Sequence, residues 1–412
     1  MGRKVKRVRV SILHHMPIRL AIVVTHPIQY FSHVYRKLAQ LPNVQIRVLY
    51  GSRVGLDAYR DPGFGVTLSW STDLIGGFDH EFLPGADEVQ TLNWRSLGRV
   101  QIGDALRSFD PDAVLLHGYS HPLVLRAWRW ARAHGRKIIL FGDGNGRHEL
   151  ARSALRRHGK RLALRPLLRS MHCVLSLGEA NDLYWTSLGV EPSRLQWAPM
   201  YLPSPDLAIQ PTGQRVAIRN SIRTHLKIAD NQLAVICSGK FVPWKRTIDV
   251  VHGIDRDDRL VGIYVGDGQC RKACEAAART DRHRFVGFAN IPQLAEYYAA
   301  GDILCHAAER EPYGLVIAEA AAAGLPIIAS RVVGAIGARS HGQPGRNADT
   351  FEPGDVDALA DALGYLATDP DRRNRMAAAS LEVTAEMESA FLEGLRKCLS
   401  PRQESAELAQ SL

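Results

Sequence analysis

The chain has 412 residues, of which 46% are hydrophobic and 23% charged, so it is not a disordered polymer and has apolar material for two or three domains. Its 52 Lys and Arg against 42 Asp and Glu leave a net charge of +10, which points to an anionic partner: nucleic acid, a phosphorylated ligand or an acidic membrane. Six scattered cysteines, with Cys270 and Cys274 as a lone C-x-x-x-C, give no zinc pattern and read as free thiols in a reducing cytoplasm.

Residues 1–17 are basic and lack the apolar core and cleavage site of a secretory signal, so they read as a leader outside the fold, with Met16 as an alternative start. A basic arm on a membrane is the competing reading. No apolar run reaches the ~18–20 residues of a membrane span; the longest, Leu315–Ala329, is broken by Glu319, Gly324 and Pro326. Arg19–Thr25, Val44–Tyr50, Ala113–His117, Lys137–Gly142 and Cys173–Gly178 are strand-like, with helical patterns over Phe31–Leu41 and Leu123–His134. Pro199, Pro203, Pro205, Pro211 and Gly213 then mark a linker. Beyond it, strands are expected over Leu233–Gly239, Arg259–Val265, Arg284–Gly287, Asp302–His306 and Pro326–Ser330, with helices over Ile291–Ala300 and Leu315–Ala323. This alternation predicts an α/β protein of two doubly wound parallel-sheet domains facing across a cleft. The expected division is a leader (1–17), a first domain (18–205), a second domain (206–385) and a C-terminal helix and tail (386–412) packing back on the first domain.

The densest chemical signal is Glu311-Pro312-Tyr313-Gly314-Leu315-Val316-Ile317-Ala318-Glu319. Pro312 suits a helix entrance, Gly314 allows close backbone approach, and the N–H groups of Gly314, Leu315 and Val316 would face a phosphate at the positive end of the helix dipole. Glu311 and Glu319 flank that site and can accept from two sets of hydroxyls. Taken alone, Glu311 would serve equally as a helix cap and Glu319 as a solvated charge. Lys240 and Lys245, on a loop at the carboxyl end of a strand, add phosphate-binding cations, although a basic loop alone reads equally well as solvated.

Together, SGKFVPWKRTIDVV, VGDG, FVGFANIPQLAEYYAAGDILCHAAEREPYGLVIAEAAAAGLPIIAS and FEPGDVDALADAL resemble the donor half of family 4 glycosyltransferases of the GT-B fold, from about Leu233 to Met376. In the first half, THPIQYFSHVYRKLA, PDAVLLHGYS and LGEANDLYWTSLGV look like a bacterial branch of that family found in cell-surface polysaccharide assembly. The resemblance implies a retaining hexosyltransferase that moves a sugar from a nucleoside diphosphate such as a UDP-sugar to a glycan or lipid-linked acceptor. It implies that Lys240 and Lys245 hold the diphosphate, Gly314 and Leu315 donate backbone N–H groups to it, and Glu319 binds the ribose. Glu311 would face the reacting centre. His117 matches the second histidine of an H-x-H near the donor sugar, with Leu115 in the place of the first. No cofactor or metal is implied, because two lysines and a helix end can neutralise the diphosphate. Asp110 and Asp112 read as a turn rather than a metal-binding D-x-D.

The glycine-rich loop usual after the first strand is replaced by THPIQY, and APMYLP stands where N-G-V-D is usual. His26, Gln29, Tyr30 and Asp143 are candidate acceptor contacts, with packing residues at the cleft edge or a turn former as the alternatives. Side chains around Val286–Ala289 would help select the base. Two further readings stay open: an epimerase or hydrolase acting on the sugar nucleotide, and a non-catalytic module binding glycan or lipid.

The charge is uneven. Residues 1–210 carry 28 Lys and Arg against 16 Asp and Glu, whereas residues 211–412 carry 24 against 26. Eight of the basic residues fall within Arg147–Arg169, interleaved with leucines and one acid, Glu149. Such a segment reads either as an amphipathic surface for an anionic membrane or as an ordinary solvated helix face. Nucleic acid drops out as a partner, because no aromatic residues interleave as a stacking platform. The protein is thus expected to be cytoplasmic, and peripheral on the inner membrane face if the basic segment meets lipid.

Overall fold

The computed structural model describes residues 17–60, 67, 68, 70, 72–200 and 212–400. The leader, most of the proline-rich linker and the final tail therefore lie outside the described residues. The first domain holds β1 (Ile18–Val24), β2 (Val44–Tyr50), β3 (Tyr59–Arg60), β4 (Thr67–Leu68), β5 (His80–Phe82), β6 (Ala113–His117), β7 (Lys137–Phe141), β8 (Cys173–Ser176) and β9 (Leu195–Trp197). The second holds β10 (Leu233–Ser238), β11 (Leu260–Val265), β12 (His283–Gly287), β13 (Ile303–His306), β14 (Ile327–Ser330) and β15 (Ala348–Phe351).

The strands form a seven-stranded sheet of order β5-β2-β1-β6-β7-β8-β9 and a six-stranded sheet of order β12-β11-β10-β13-β14-β15. Every pairing within these two sheets is parallel, whereas β3 and β4 form a separate antiparallel pair. Continuous apolar runs form the central strands because helices cover both sheet faces: Leu20 to Val24 are buried throughout β1, as are all residues of β11. The helix Gln29–Ala39 buries Phe31, Val34, Tyr35 and Leu38, the i, i+3, i+4, i+7 stripe of a helix lying on a sheet. The two doubly wound sheets follow the expected α/β pattern.

Five strands escaped the sequence reading: β3 (YR), β4 (TL), β5 (HEF), β9 (LQW) and β15 (ADTF). Each is a sheet edge. Edge strands are short and partly polar, so they carry no buried run to read.

The C-terminal helix Pro370–Leu399 is 30 residues long and begins on the second domain, where Ser380 Oγ donates to Leu325 O at 2.7 Å. It ends on the first domain, where Lys137 Nζ donates to Leu399 O at 2.6 Å and Glu388 pairs with Lys37. A Cβ on Gly394 would lie 2.1 Å from Trp197 O, so only glycine allows this approach to β9. The boundary expected at 385/386 falls inside this unbroken helix. The helix also corrects the reading of the cysteines, because Cys398 forms a disulfide with Cys173 of β8. A separation of 225 residues left no spacing signal for that pair. Cys237, Cys270, Cys274 and Cys305 are free.

The basic segment is two helices, Gly146–Leu150 and Ala154–Arg169. Leu167 and Leu168 anchor the second helix, while Leu155 is 84% and Leu162 52% exposed. Not all the cations face solvent: Arg147 donates to Val333 O and Ile336 O, and Lys160 pairs with Glu149. Among the described residues, no helix is long and apolar enough to cross a membrane.

Candidate active site

Strand order reverses between β1 and β6 in the first sheet and between β10 and β13 in the second. The loops leaving carboxyl ends at such switch points splay apart and leave a crevice. Three of these loops carry most of the candidates. Thr25 to Tyr30 follow β1, Gly239 to Lys245 follow β10, and Ala307 to Gly314 follow β13. They line one cavity of ≈ 430 Å³ between the domains. That size suits a ligand larger than a single sugar.

On the second-domain side the cavity is lined by Lys240, Lys245, Glu311, Gly314, Leu315, Val316 and Glu319. The helix Leu315–Ala322 starts at Gly314, whose φ of 98° is left-handed and which makes no side-chain cap. Neither glutamate plays its bland role: Glu311 is not the cap, and Glu319 is 1% exposed. Tyr298 donates its hydroxyl to Glu319 Oε2 at 2.8 Å, and Tyr30 reaches the same carboxylate from the first domain. Burial pushes the Glu319 carboxyl above its usual range, opposed by these two hydroxyls.

Glu311 is held differently. Its Oε2 accepts from Lys245 Nζ and, at 3.0 Å, from His306 Nε2. Burial alone would push this carboxyl up, but the His306 hydrogen bond and the Lys245 charge outweigh burial and hold it at about 2. The first domain fixes its backbone: Asn145 Nδ2 donates to Glu311 O at 2.9 Å, and Glu311 N–H donates to His148 Nε2 at 3.1 Å. Asn145 also donates to Val332 O at 3.0 Å, so one amide holds two loops of the other domain.

On the first-domain side, His26, Gln29, Tyr30 and Asp143 all line the cavity. Burial, reinforced by nearby His121, pushes His26 down to about 4, so it is a neutral ring, with Thr25 Oγ1 2.9 Å from its Nδ1. Burial raises the Asp143 carboxyl, and the Glu311 charge adds to the rise. Gln29 is buried, and its Oε1 finds no partner.

His117 does not join them. It ends β6, packs edge-on against Phe31 at 4.6 Å and lies 3.3 Å from Tyr35 Oη. Burial pushes it down to about 3, and it is absent from the cavity wall. The physical reason is the side chain's direction: Phe31, Tyr35 and Phe141 enclose the ring beneath the helix Gln29–Ala39. Asp110 and Asp112 form the expected turn, with Asp110 at a left-handed helix end and Asp112 accepting from Arg19 N–H at 2.8 Å.

Sequence reasoning missed His306, Tyr298, Asn145 and His148, which hold the two glutamates and their loops. It also missed Tyr59, Trp70 and Phe288 on the cavity wall, where the Trp70 and Phe288 rings lie 6.2 Å apart across the domains. Of these, Phe288 alone carried a signal, since it falls within the 286–289 stretch expected near the base. Among the described residues, no three His, Cys, Asp or Glu side chains group as a metal site.

Residues 218–383 match the family model of the group 1 glycosyl transferases. A D-inositol 3-phosphate glycosyltransferase of Kribbella flavida is 30% identical over 222 residues, 50% of this chain and 50% of that protein. A GDP-mannose-dependent alpha-(1-6)-phosphatidylinositol monomannoside mannosyltransferase of Mycobacterium tuberculosis is 27% identical over 292 residues, 65% of this chain and 70% of that protein. The chain therefore spans half the length of the first relative. Among solved structures, Anabaena Alr3699/HepE in complex with UDP and glucose aligns with TM-score 0.67 at 15% identity, covering 96% of this chain and 100% of that one. Sucrose-phosphate synthase from Thermosynechococcus elongatus aligns with TM-score 0.69 at 16% identity over the same shares. The fold is GT-B, and its second half, with Lys240, Lys245, Glu311 and Glu319, carries the match to the group 1 glycosyl transferases.

Proposed function

We propose that the protein is a glycosyltransferase that binds a nucleoside diphosphate sugar in this cavity and passes the sugar, with retention, to a glycan or lipid-linked acceptor in cell-surface polysaccharide or glycolipid synthesis. One observation carries the reading: two lysines, an uncapped helix N-terminus and two buried carboxylates line a single cavity at the switch points of both sheets. Breaking the glycosidic bond puts negative charge on the departing phosphate oxygen. Lys240, Lys245 and the N–H groups of the helix Leu315–Ala322 would meet that charge where it develops, which stabilises the transition state more than the ground state. The anomeric carbon gains positive character, and the Glu311 carboxylate, held ionised, offsets it. Glu319 would accept from the ribose hydroxyls. These charges suffice for the diphosphate, so we infer that transfer needs no metal ion.

His26, Tyr30 and Asp143 would receive the acceptor on the opposite wall, with neutral His26 able to take or give a hydrogen bond. The acceptor is proposed to arrive from an anionic membrane. The face formed by Gly146–Leu150 and Ala154–Arg169 exposes Leu150, Leu155 and Leu162 beside Arg152, Arg156, Arg161 and Arg165. Its first helix is capped by Asn145, two residues after Asp143 on the cavity wall, which favours a lipid-linked acceptor and a peripheral position on the inner membrane face.

The test is transfer from radiolabelled UDP-, GDP- and ADP-sugars to membrane lipid extracts, with EDTA present. The reading expects labelled product from wild-type protein and none from Glu311→Ala. Release of free sugar or an epimerised nucleotide in place of glycoside would contradict it, and the anomeric configuration of the product tests retention.

A further inference from the structure

Lys245 is drawn two ways. In the structure its ammonium group pairs with Glu311 Oε2. The donor reading requires it at a diphosphate. Glu311 cannot follow it, because the backbone N–H and C=O of that residue are both pinned by the first domain, to His148 and Asn145. Glu311 is buried, and a buried charge stripped of its partner is strongly unfavourable. If Lys245 were its sole partner, the cation would be trapped where it is.

A second donor serves the same oxygen. His306 Nε2 lies 3.0 Å from Glu311 Oε2. His306 is the last residue of β13 and is 3% exposed, with its backbone registered against Ala329 of β14. Its place is therefore set by the sheet and owes nothing to the ligand. Nε2 carries the proton in this bond, since its partner is an ionised acceptor. Lys245 and His306 thus both bond the same oxygen of the Glu311 carboxylate. Lys245, by contrast, ends the short 3-10 turn Pro243–Lys245, and its ammonium sits on a flexible four-carbon stem.

We propose that His306 is a positioning residue that keeps the Glu311 carboxylate oriented in the cavity when Lys245 leaves it for the donor diphosphate. The inference rests on the donor reading above. An arriving phosphate gives Lys245 a new anion, while the His306 hydrogen bond keeps the carboxylate directed and partnered. No proton moves in the exchange.

The coupling makes the test. Affinity for UDP and for GDP is measured by calorimetry for wild type, His306→Leu, His306→Gln, Glu311→Gln and the double variant His306→Leu/Glu311→Gln. Without His306, Lys245 is retained by Glu311, so His306→Leu should weaken binding of the nucleotide by about tenfold. His306→Gln keeps an N–H donor and should stay within about threefold of wild type. Once Glu311 is a neutral amide it no longer retains the lysine, so adding His306→Leu to Glu311→Gln should change affinity by less than about threefold. His306→Phe, which keeps a ring and lacks the donor, replaces His306→Leu if that variant fails to fold. Equal weakening in both backgrounds, or none in either, overturns the proposal. Wild-type protein that binds neither nucleotide overturns the donor reading and, with it, this one; binding without the coupling overturns this one alone.

Discussion

Replacing Lys245 with methionine removes the ammonium group but keeps most of the stem. The side chains of the Lys245–Glu311 pair are 20% and 11% exposed, so water replaces little of the lost interaction. The Glu311 carboxyl sits at about 2 against a usual 4.5. At about 1.4 kcal/mol per unit, that difference corresponds to about 3 kcal/mol of stabilisation of the charged form. His306 supplies the larger attractive part and Lys245 the next. Lys245→Met is therefore expected to cost about 1–2 kcal/mol at neutral pH. For a domain of this size that lowers the unfolding midpoint by about 2–8 °C. The assay is thermal unfolding followed by circular dichroism, in wild-type and Glu311→Gln backgrounds. In the second background the carboxylate is gone, and Lys245→Met should be nearly silent. An equal drop in both backgrounds would refute the pairing as the source of the effect.

Four further outcomes are expected. Glu311 has its carboxyl held at about 2, below the unfolded value, so its stabilisation is complete above about pH 4.5 and is lost as pH falls toward 2; Glu311→Gln should flatten the acid limb of a urea-unfolding profile there. His26 and His117 are held at about 4 and about 3, so the unfolded chain binds more protons below pH 6.5, and each should cost about 1 kcal/mol between pH 7 and 5.5; His117→Gln should reduce that slope, and an unchanged slope would contradict its burial as a neutral ring. The disulfide between Cys173 and Cys398 closes a 225-residue separation, so Cys398→Ser, or reduction of the wild type, should lower stability by about 2–5 kcal/mol. Flotation with vesicles should show wild-type protein on anionic and not on neutral lipid, and Leu155→Asp/Leu162→Asp should abolish it; equal binding to both lipids would remove charge as its cause.

Much of this site was legible because the chemistry sits in short local stretches. The run Glu311–Glu319 shows a proline entrance, a glycine and an apolar helix in nine residues, and the structure builds that helix with Gly314 at its start. The central strands were legible for the same reason: a strand buried on both faces is a continuous apolar word. What the sequence hid was assembled across distance. His306 reads as the end of a strand, and nothing in D-I-L-C-H signals that its ring meets a carboxylate five residues on. Asn145 and His148 act on Glu311 from the other domain, at sequence separations of 166 and 163. His117 misled because a match in position says nothing of which way a side chain turns; three aromatic rings enclose it. The disulfide was hidden by length, and the edge strands by their polarity. The excess positive charge was legible as belonging to the first half, but Arg147 and Lys160 turned out to be engaged within the protein.

The central claim is that the cavity between the domains holds a nucleoside diphosphate through Lys240, Lys245 and the helix N-terminus at Gly314. Calorimetric titration of the wild-type protein with UDP, GDP and ADP in metal-free buffer tests it most directly. The account predicts saturable binding of at least one nucleotide with a stoichiometry near one, lost in Lys240→Ala/Lys245→Ala while the variant stays folded. Binding that survives the loss of both lysines, or no binding of any of the three by the folded wild-type protein, would contradict it.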